Sequence, residues 1–222
     1  FGITNKFKSS ETNEENSIFH IFADFDLNLN LENFDYSKMS FSVEKVSKDT
    51  YLKLFDNVLS NTELKPVNDN VLTSEAKLVL NNEKFDFNLG MSMYENLQKP
   101  TSDRHQFILP YYDFSTNLFS NDRGLLNFNS SGSNDLKNTN NLRTKIINDI
   151  NFSSQDKIFY DYGNVTNFQF FFKNTNVVAN NDTQYDSSPD YNLSGMFVYN
   201  SNIPLVKQEK NRLSTFTPKI SI

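Results

Sequence analysis

Cysteine and tryptophan are both absent from this chain. No disulfide framework and no thiolate metal site can therefore exist within it. No apolar run approaches the roughly 20 residues that a helix needs to cross a bilayer, so a helical membrane protein is excluded. Glycine is scarce, at 6 residues, and no glycine-rich phosphate loop is present. No serine sits in a G-x-S-x-G turn, and the two histidines, His20 and His105, are far apart in sequence. Hydrolysis and metal chemistry have no constellation to stand on. The net charge is -6, with acids and bases interspersed, and no basic block points to nucleic acid.

What is present is aromatic and polar. There are 22 Phe and 10 Tyr, yet the mean hydropathy is only -0.58. Phe and Tyr favour strands. Between Phe19 and Leu31, apolar residues occupy the odd positions Phe19, Ile21, Ala23, Phe25, Leu27, Leu29 and Leu31. His20, Asp24, Asp26, Asn28 and Asn30 fill the gaps. Strand side chains alternate between faces, so this pattern predicts one greasy face and one wet face. A half-polar strand of about ten residues is long enough to cross a bilayer at a tilt, as strands of outer-membrane barrels do.

The pattern recurs. Lys38 to Val46 alternates in the same way, and Ala76–Leu80 and Phe85–Met93 flank an Asn81–Lys84 turn as a predicted hairpin. Ser47 to Asp56 breaks the alternation and is placed at the sheet rim; Asn57 to Asn70 reads as loop. Phe107 to Phe119 is a strand whose Pro110 must sit at its start or at a bulge. A strand from Leu126 is expected to fade through Ser130–Gly132 into an Asn134–Asn141 loop. Leu142, Ile146, Ile150 and Phe152 then share a face opposite Arg143, Lys145 and Asp149. Phe168–Phe172 and Tyr191–Tyr199 belong to further strands, separated by a predicted polar loop from Asn174 to Pro189. Ile203–Val206 and Leu213–Ile222 end the chain, and Ser9–Ser17 is a polar segment before the first strand. About ten strands joined by alternately shorter turns and longer loops imply an all-β fold, an antiparallel up-and-down transmembrane β-barrel segment. A β-sandwich has the same alternation, usually in shorter strands.

Three stretches resemble the lipopolysaccharide-assembly outer-membrane protein family, also called the organic solvent tolerance family, in particular its α-proteobacterial members. In FSVEKVSKDTYLKLFDN, Val46, Ser47, Asp49, Thr50 and Tyr51 fit a V-S-D-D-T-Y segment, and Lys48 departs from it. Between His105 and Ser153, Leu109-Pro110, Thr139-Asn140 and Arg143 match in order. In IPLVKQEKNRLSTFTPKISI, Thr217 stands where the family commonly has Glu before Pro218. The resemblance implies that residues 1–222 form one partial barrel domain, an interior segment of a larger barrel. The family's N-terminal jelly-roll and remaining strands would lie outside it. It implies transport rather than catalysis, with no cofactor. The expected partners are lipopolysaccharide, outer-membrane lipids, a plug lipoprotein and a periplasmic bridge protein, in the bacterial outer membrane.

Asp24 and Asp26 share the wet face and are read as lining a hydrated lumen rather than holding a cation. Arg143 and Lys145 face away from Ile146 and Ile150, where they could meet lipopolysaccharide phosphates. Tyr111, Tyr112, Tyr191 and Tyr199 suit an interfacial girdle, with ordinary strand packing as the alternative. A general porin and a soluble glycan-binding β-protein remain alternatives, because each also needs strands with one apolar face.

Overall fold

A computed structural model describes the backbone of all residues except 1, 9–14, 139, 160–162 and 211. Thr139 of the Thr139-Asn140 motif and most of the Ser9–Ser17 segment lie outside the described residues. The elements are β1 (Gly2–Lys8), β2 (Glu15–Asn28), β3 (Tyr36–Val46), α1 (Tyr51–Leu54), α2 (Asp56–Leu59), β4 (Val71–Asn81) and β5 (Phe85–Asn96). They continue with β6 (His105–Asn121), β7 (Gly124–Lys137), β8 (Asn141–Ser154), β9 (Lys157–Phe159), β10 (Asn164–Asn180) and β11 (Asp190–Asn202). Last come β12 (Leu205–Glu209), β13 (Arg212–Phe216) and β14 (Lys219–Ser221).

The fold is all-β and antiparallel. One sheet runs in the order β1-β2-β3-β4-β5-β6-β7-β8-β10-β11-β14, with β9 paired to β10; β12 and β13 form a separate two-stranded sheet. Chain neighbours are therefore sheet neighbours through most of the path, which is an up-and-down arrangement. The order has two ends and does not close on itself among the described residues.

Asparagine makes the turns. The Asn82 side chain accepts from the backbone N–H of Lys84 and of Phe85, both at 2.9 Å, and closes the β4–β5 hairpin. Asn121 does the same for Arg123 at 2.8 Å between β6 and β7. Asn30, Asn138 and Asn181 take left-handed backbone angles just beyond strand ends, with φ of 49°, 50° and 54°. Asn tolerates that region because its short amide bonds the local backbone. Asn30, Asn82, Asn121, Asn138 and Asn181 thus serve as turn residues.

Several strands differ from expectation. β1 was not anticipated, nor was β9. Asn134 is not in a loop: β7 continues to Lys137. Asn174–Asn180 is not loop either, since β10 runs to Asn180 and buries Val177 and Ala179. Serine and asparagine have low intrinsic strand preference, but cross-strand side-chain bonds override it here. Asn148 accepts from Ser130 at 2.8 Å, and Asn134 accepts from Thr144 at 2.8 Å. The segment 47–59, expected as rim and loop, carries α1 and α2.

The chain divides into two compact units. The first comprises Phe1–Asp113, Gly132–Lys145 and Val177–Asp190; the second, Phe114–Ser131, Ile146–Asn176 and Tyr191–Ile222. In the first, Ile18, Phe22 and Val46 pack under Tyr51, Leu52, Leu59, Leu72 and Leu97 in one buried cluster. The helical connection between β3 and β4 is thereby fastened to one end of the sheet. In the second, rings of Phe119, Phe152, Phe168 and Phe197 run from β6 through β8 and β10 to β11, with centroids 6.1, 5.5 and 6.1 Å apart.

Candidate functional site

The strand register sorts the residues of the first unit onto two faces. Phe25 is directly opposite Phe41, which is opposite Ala76, which is opposite Met91. Leu27, Met39, Leu78 and Leu89 form the next row along. Directly paired residues share a face, so these rows make one continuous apolar surface. It is exposed: Phe25 by 58%, Phe41 by 47% and Met91 by 51%. From Ile21 to Leu27 the surface spans roughly 20 Å along β2, at about 3.3 Å per residue.

The other face is polar. Asp24 is opposite Ser42, which is opposite Glu75, which is opposite Ser92. Asp26, Ser40, Lys77 and Gly90 form the adjacent row. The Tyr111 hydroxyl donates to Glu75 at 2.5 Å, and Ser92 donates to the same carboxylate oxygen at 3.4 Å. The Tyr111 ring lies over Gly90, in space that a Cβ would take.

β6 changes face along its length. Phe107 and Leu109 border the apolar face beside Ala76 and Met91, whereas Tyr111 reaches Glu75 on the polar face. The alternation switches across the Leu109-Pro110 step, where the ladder has no N–H to use. Tyr112 then covers Gly132 of β7 as Tyr111 covers Gly90 of β5. Both tyrosines are packing residues over glycine hollows.

The residues singled out from the sequence have different surroundings. Asp24 is exposed on the polar face, and Asp26 pairs with Lys38 at 3.0 Å. Arg143 is held by Asp135 at 3.5 Å and Asp182 at 3.9 Å, with Gln184 at 3.4 Å. Lys145 is half-buried and makes no ion pair among the described residues. His20 bonds the Tyr51 hydroxyl at 2.7 Å and stacks on Phe22, so it serves the buried cluster.

Sequence reasoning missed a charged cluster at the end of the sheet that carries the helical connection. Glu95 is only 3% exposed. Lys45 reaches it at 2.6 Å, Arg104 at 3.5 Å and His105 at 3.8 Å. Asp49 binds the outer edge of Arg104 at 2.7 Å. These hydrogen bonds and charges hold the Arg104 guanidinium above its ordinary pKa, the Asp49 bond contributing most. These residues come from positions 45 to 105, and no local spacing announces them.

In the second unit, Lys173 faces Asp149 at 3.7 Å beside a hollow of about 360 Å³ lined by Phe171, Gly195 and Met196. No group of three or more His, Cys, Asp or Glu among the described residues is placed to hold a metal ion. No helix of the described residues is long and apolar enough to cross a membrane, which says nothing of crossing by strands. The two faces of the first unit can separate an apolar medium from a wet one. No protein-family model matches this chain, and no curated protein does.

Proposed function

We propose that this chain forms part of the wall of an outer-membrane β-barrel, and that the barrel assembles lipopolysaccharide in the outer leaflet. One observation carries the membrane part: a wide, exposed apolar surface lies back to back with a face of Asp, Glu, Lys and Ser. An exposed apolar patch of this extent marks a membrane or protein interface. Lipid satisfies it along its whole length, while the polar face lines water. The row of phenylalanine rings in the second unit suits an aromatic girdle. The lipopolysaccharide part rests on the order of the three resembling stretches. The plug lipoprotein and the periplasmic bridge belong to the same reading.

Cysteine is absent from these residues, so labels can be placed among them once any cysteine elsewhere in the full-length protein is replaced by serine. Ala23→Cys and Phe25→Cys, and separately Asp24→Cys and Asp26→Cys, are labelled with a polarity-sensitive fluorophore in the full-length protein. Brominated lipid should quench the odd positions and spare the even ones. Equal quenching at both parities refutes a membrane wall. For the transport part, depletion of the protein should stop newly made lipopolysaccharide from reaching the cell surface; undiminished surface delivery refutes it. Lys145→Glu with export intact would remove Lys145 from the path.

A further inference from the structure

The sheet has an unfinished margin at β11. Three residues of this strand are paired with β14: Asn200 with Ser221, Ser201 with Ile220 and Asn202 with Lys219. The ladder runs one step further. The Tyr199 N–H donates to the Ile222 carbonyl at 2.8 Å, and the Ile222 N–H donates to the Tyr199 carbonyl at 3.0 Å. Ahead of Tyr199, residues 190–198 have β10 on one side and no strand on the other among the described residues. Along an antiparallel edge every second residue turns both its N–H and its C=O outward. Tyr199 does so, and the same alternation turns the backbone groups of Phe197, Gly195, Leu193 and Tyr191 outward.

Nothing in the sequence blunts this margin. Sheet edges that stay free commonly carry Lys, Pro or a bulge. Residues 190–198 hold neither Lys nor Pro, and Asp190, at the first position, is their one charge. Phe197 belongs to the row of rings through Phe168, and Tyr191 and Leu193, both exposed, extend that face two residues at a time. The short partner strand already matches it. Ile220 and Ile222 are opposite Ser201 and Tyr199, so they lie on the Phe197 side. Lys219 and Ser221 lie on the other side with Asn202 and Asn200. Direction, register and the sorting of apolar from polar residues are therefore set by residues 219–222.

We propose that the open margin of β11 is the docking surface for the polypeptide that continues from Ile222, laid down antiparallel as an extension of β14. The inference rests on the membrane-wall reading above, in which this chain is one part of a larger barrel. The ladder fixes what that segment must be. The second, fourth, sixth and eighth residues beyond Ile222 face Phe197, Gly195, Leu193 and Tyr191. All four are apolar, and none is proline, because each must supply an N–H to β11. The residues between them continue the polar side begun by Lys219 and Ser221. A strand from a second molecule would meet the same edge, but it would lose translational freedom that a tethered strand has already given up.

The test uses the full-length protein in detergent micelles, with any native cysteine replaced by serine. Ser194→Cys is combined with cysteine at the fifth residue beyond Ile222, which the register places opposite it. Opposed Cα atoms of a pair that exchanges no hydrogen bonds lie about 4.5 Å apart, within disulfide reach. Oxidation should join the two within one molecule, at least about tenfold more than Ser194→Cys is joined to cysteine at the sixth residue, which lies on the other face. Equal joining of both pairs, no joining, or a bond between two molecules overturns the proposal. So does a reading frame that stops before the fifth residue, or one that places proline or a charge at the second, fourth, sixth or eighth. Odd-position quenching along β2 with no joining overturns this inference and leaves the membrane wall standing. Joining in the stated register with the quenching pattern lost overturns the wall and leaves the extended ladder.

Discussion

Gly90 offers a sharp test of how β5 and β6 are joined. A Cβ at this position would lie 2.8 Å from Tyr111 Cε1 and nearer still to Cζ and Oη. The ring can tilt away, because these are the far atoms of the side chain. Tilting, however, breaks the 2.5 Å bond from the hydroxyl to Glu75, leaving that carboxylate with Ser92. A hydrogen bond to a charged group contributes about 1.5–3 kcal/mol. Replacing a strand-interior glycine by alanine returns about 0.5–1 kcal/mol of backbone entropy. Gly90→Ala should therefore destabilise by roughly 1–2 kcal/mol net. In a Tyr111→Ala background no ring is displaced, and the same substitution should stabilise by about 0.5–1 kcal/mol. The sign reversal is the prediction. It is read from urea unfolding of the protein in micelles, followed by tyrosine fluorescence, over the full double-mutant cycle. A Gly90→Ala effect of the same sign and size in both backgrounds refutes the reasoning.

Other consequences follow from single positions. Gly124 has φ of 149°, and its Cβ would press on the Ser153 backbone carbonyl, which cannot yield; at Gly195 the nearest atom is 3.7 Å away. Gly124→Ala should cost about 2 kcal/mol or more and Gly195→Ala nothing measurable, by the same unfolding assay. Arg104→Ala leaves Glu95 buried with less compensation and should destabilise by about 2–4 kcal/mol, whereas Asp26→Asn, at an exposed pair, should cost under about 1 kcal/mol. Burial raises the Tyr51 phenol above its ordinary pKa of 10.0, which favours the folded state below that value and withdraws the contribution as pH climbs through the raised value. Cleavage of the 47–70 connection by protease should accelerate above about pH 10 in the parent and less steeply in Tyr51→Phe. Identical pH profiles would contradict the assignment.

The alternation of β2, β3, β4 and β5 was legible because each strand pairs with its neighbour in register and shows a different chemistry on each side. The Asn81–Lys84 hairpin was legible because its turn is made by a single local side chain. β7 beyond Gly132 and β10 beyond Lys173 were not. Their residues carry little apolar period, and their strand state comes from polar partners on neighbouring strands such as Thr144, which pair only once the sheet is formed. The face switch in β6 was half-visible, since Pro110 marks where a ladder must be irregular without saying which side follows. The Glu95 cluster had no signal at all, because it is assembled from the ends of three strands and two connections. Arg143 stood out as a charged strand residue; its local partners Asp135 and Asp182 lie on stretches that the alternation had assigned to loops.

The buried cluster around Leu52 has a consequence for the order in which the molecule forms. Its members lie between residues 18 and 97 and exclude water by packing against one another. The surface that Phe25 and Phe41 present on the reverse of β2 and β3 is exposed, and in the proposed membrane wall lipid covers it. One corner can thus consolidate in water and hold β2 and β3 already aligned. Hydrogen exchange in the absence of lipid should protect Phe22 and Val46 more than Phe25 and Met91. Leu52→Ala, which empties a site of 0% exposure and should cost about 2–5 kcal/mol, should erase that head start. Uniform protection along β2 would mean that the corner gains nothing from water alone. If the corner is protected first, a chain of the proposed membrane wall carries its own starting point for insertion, placed where the solvent that drives it is still present.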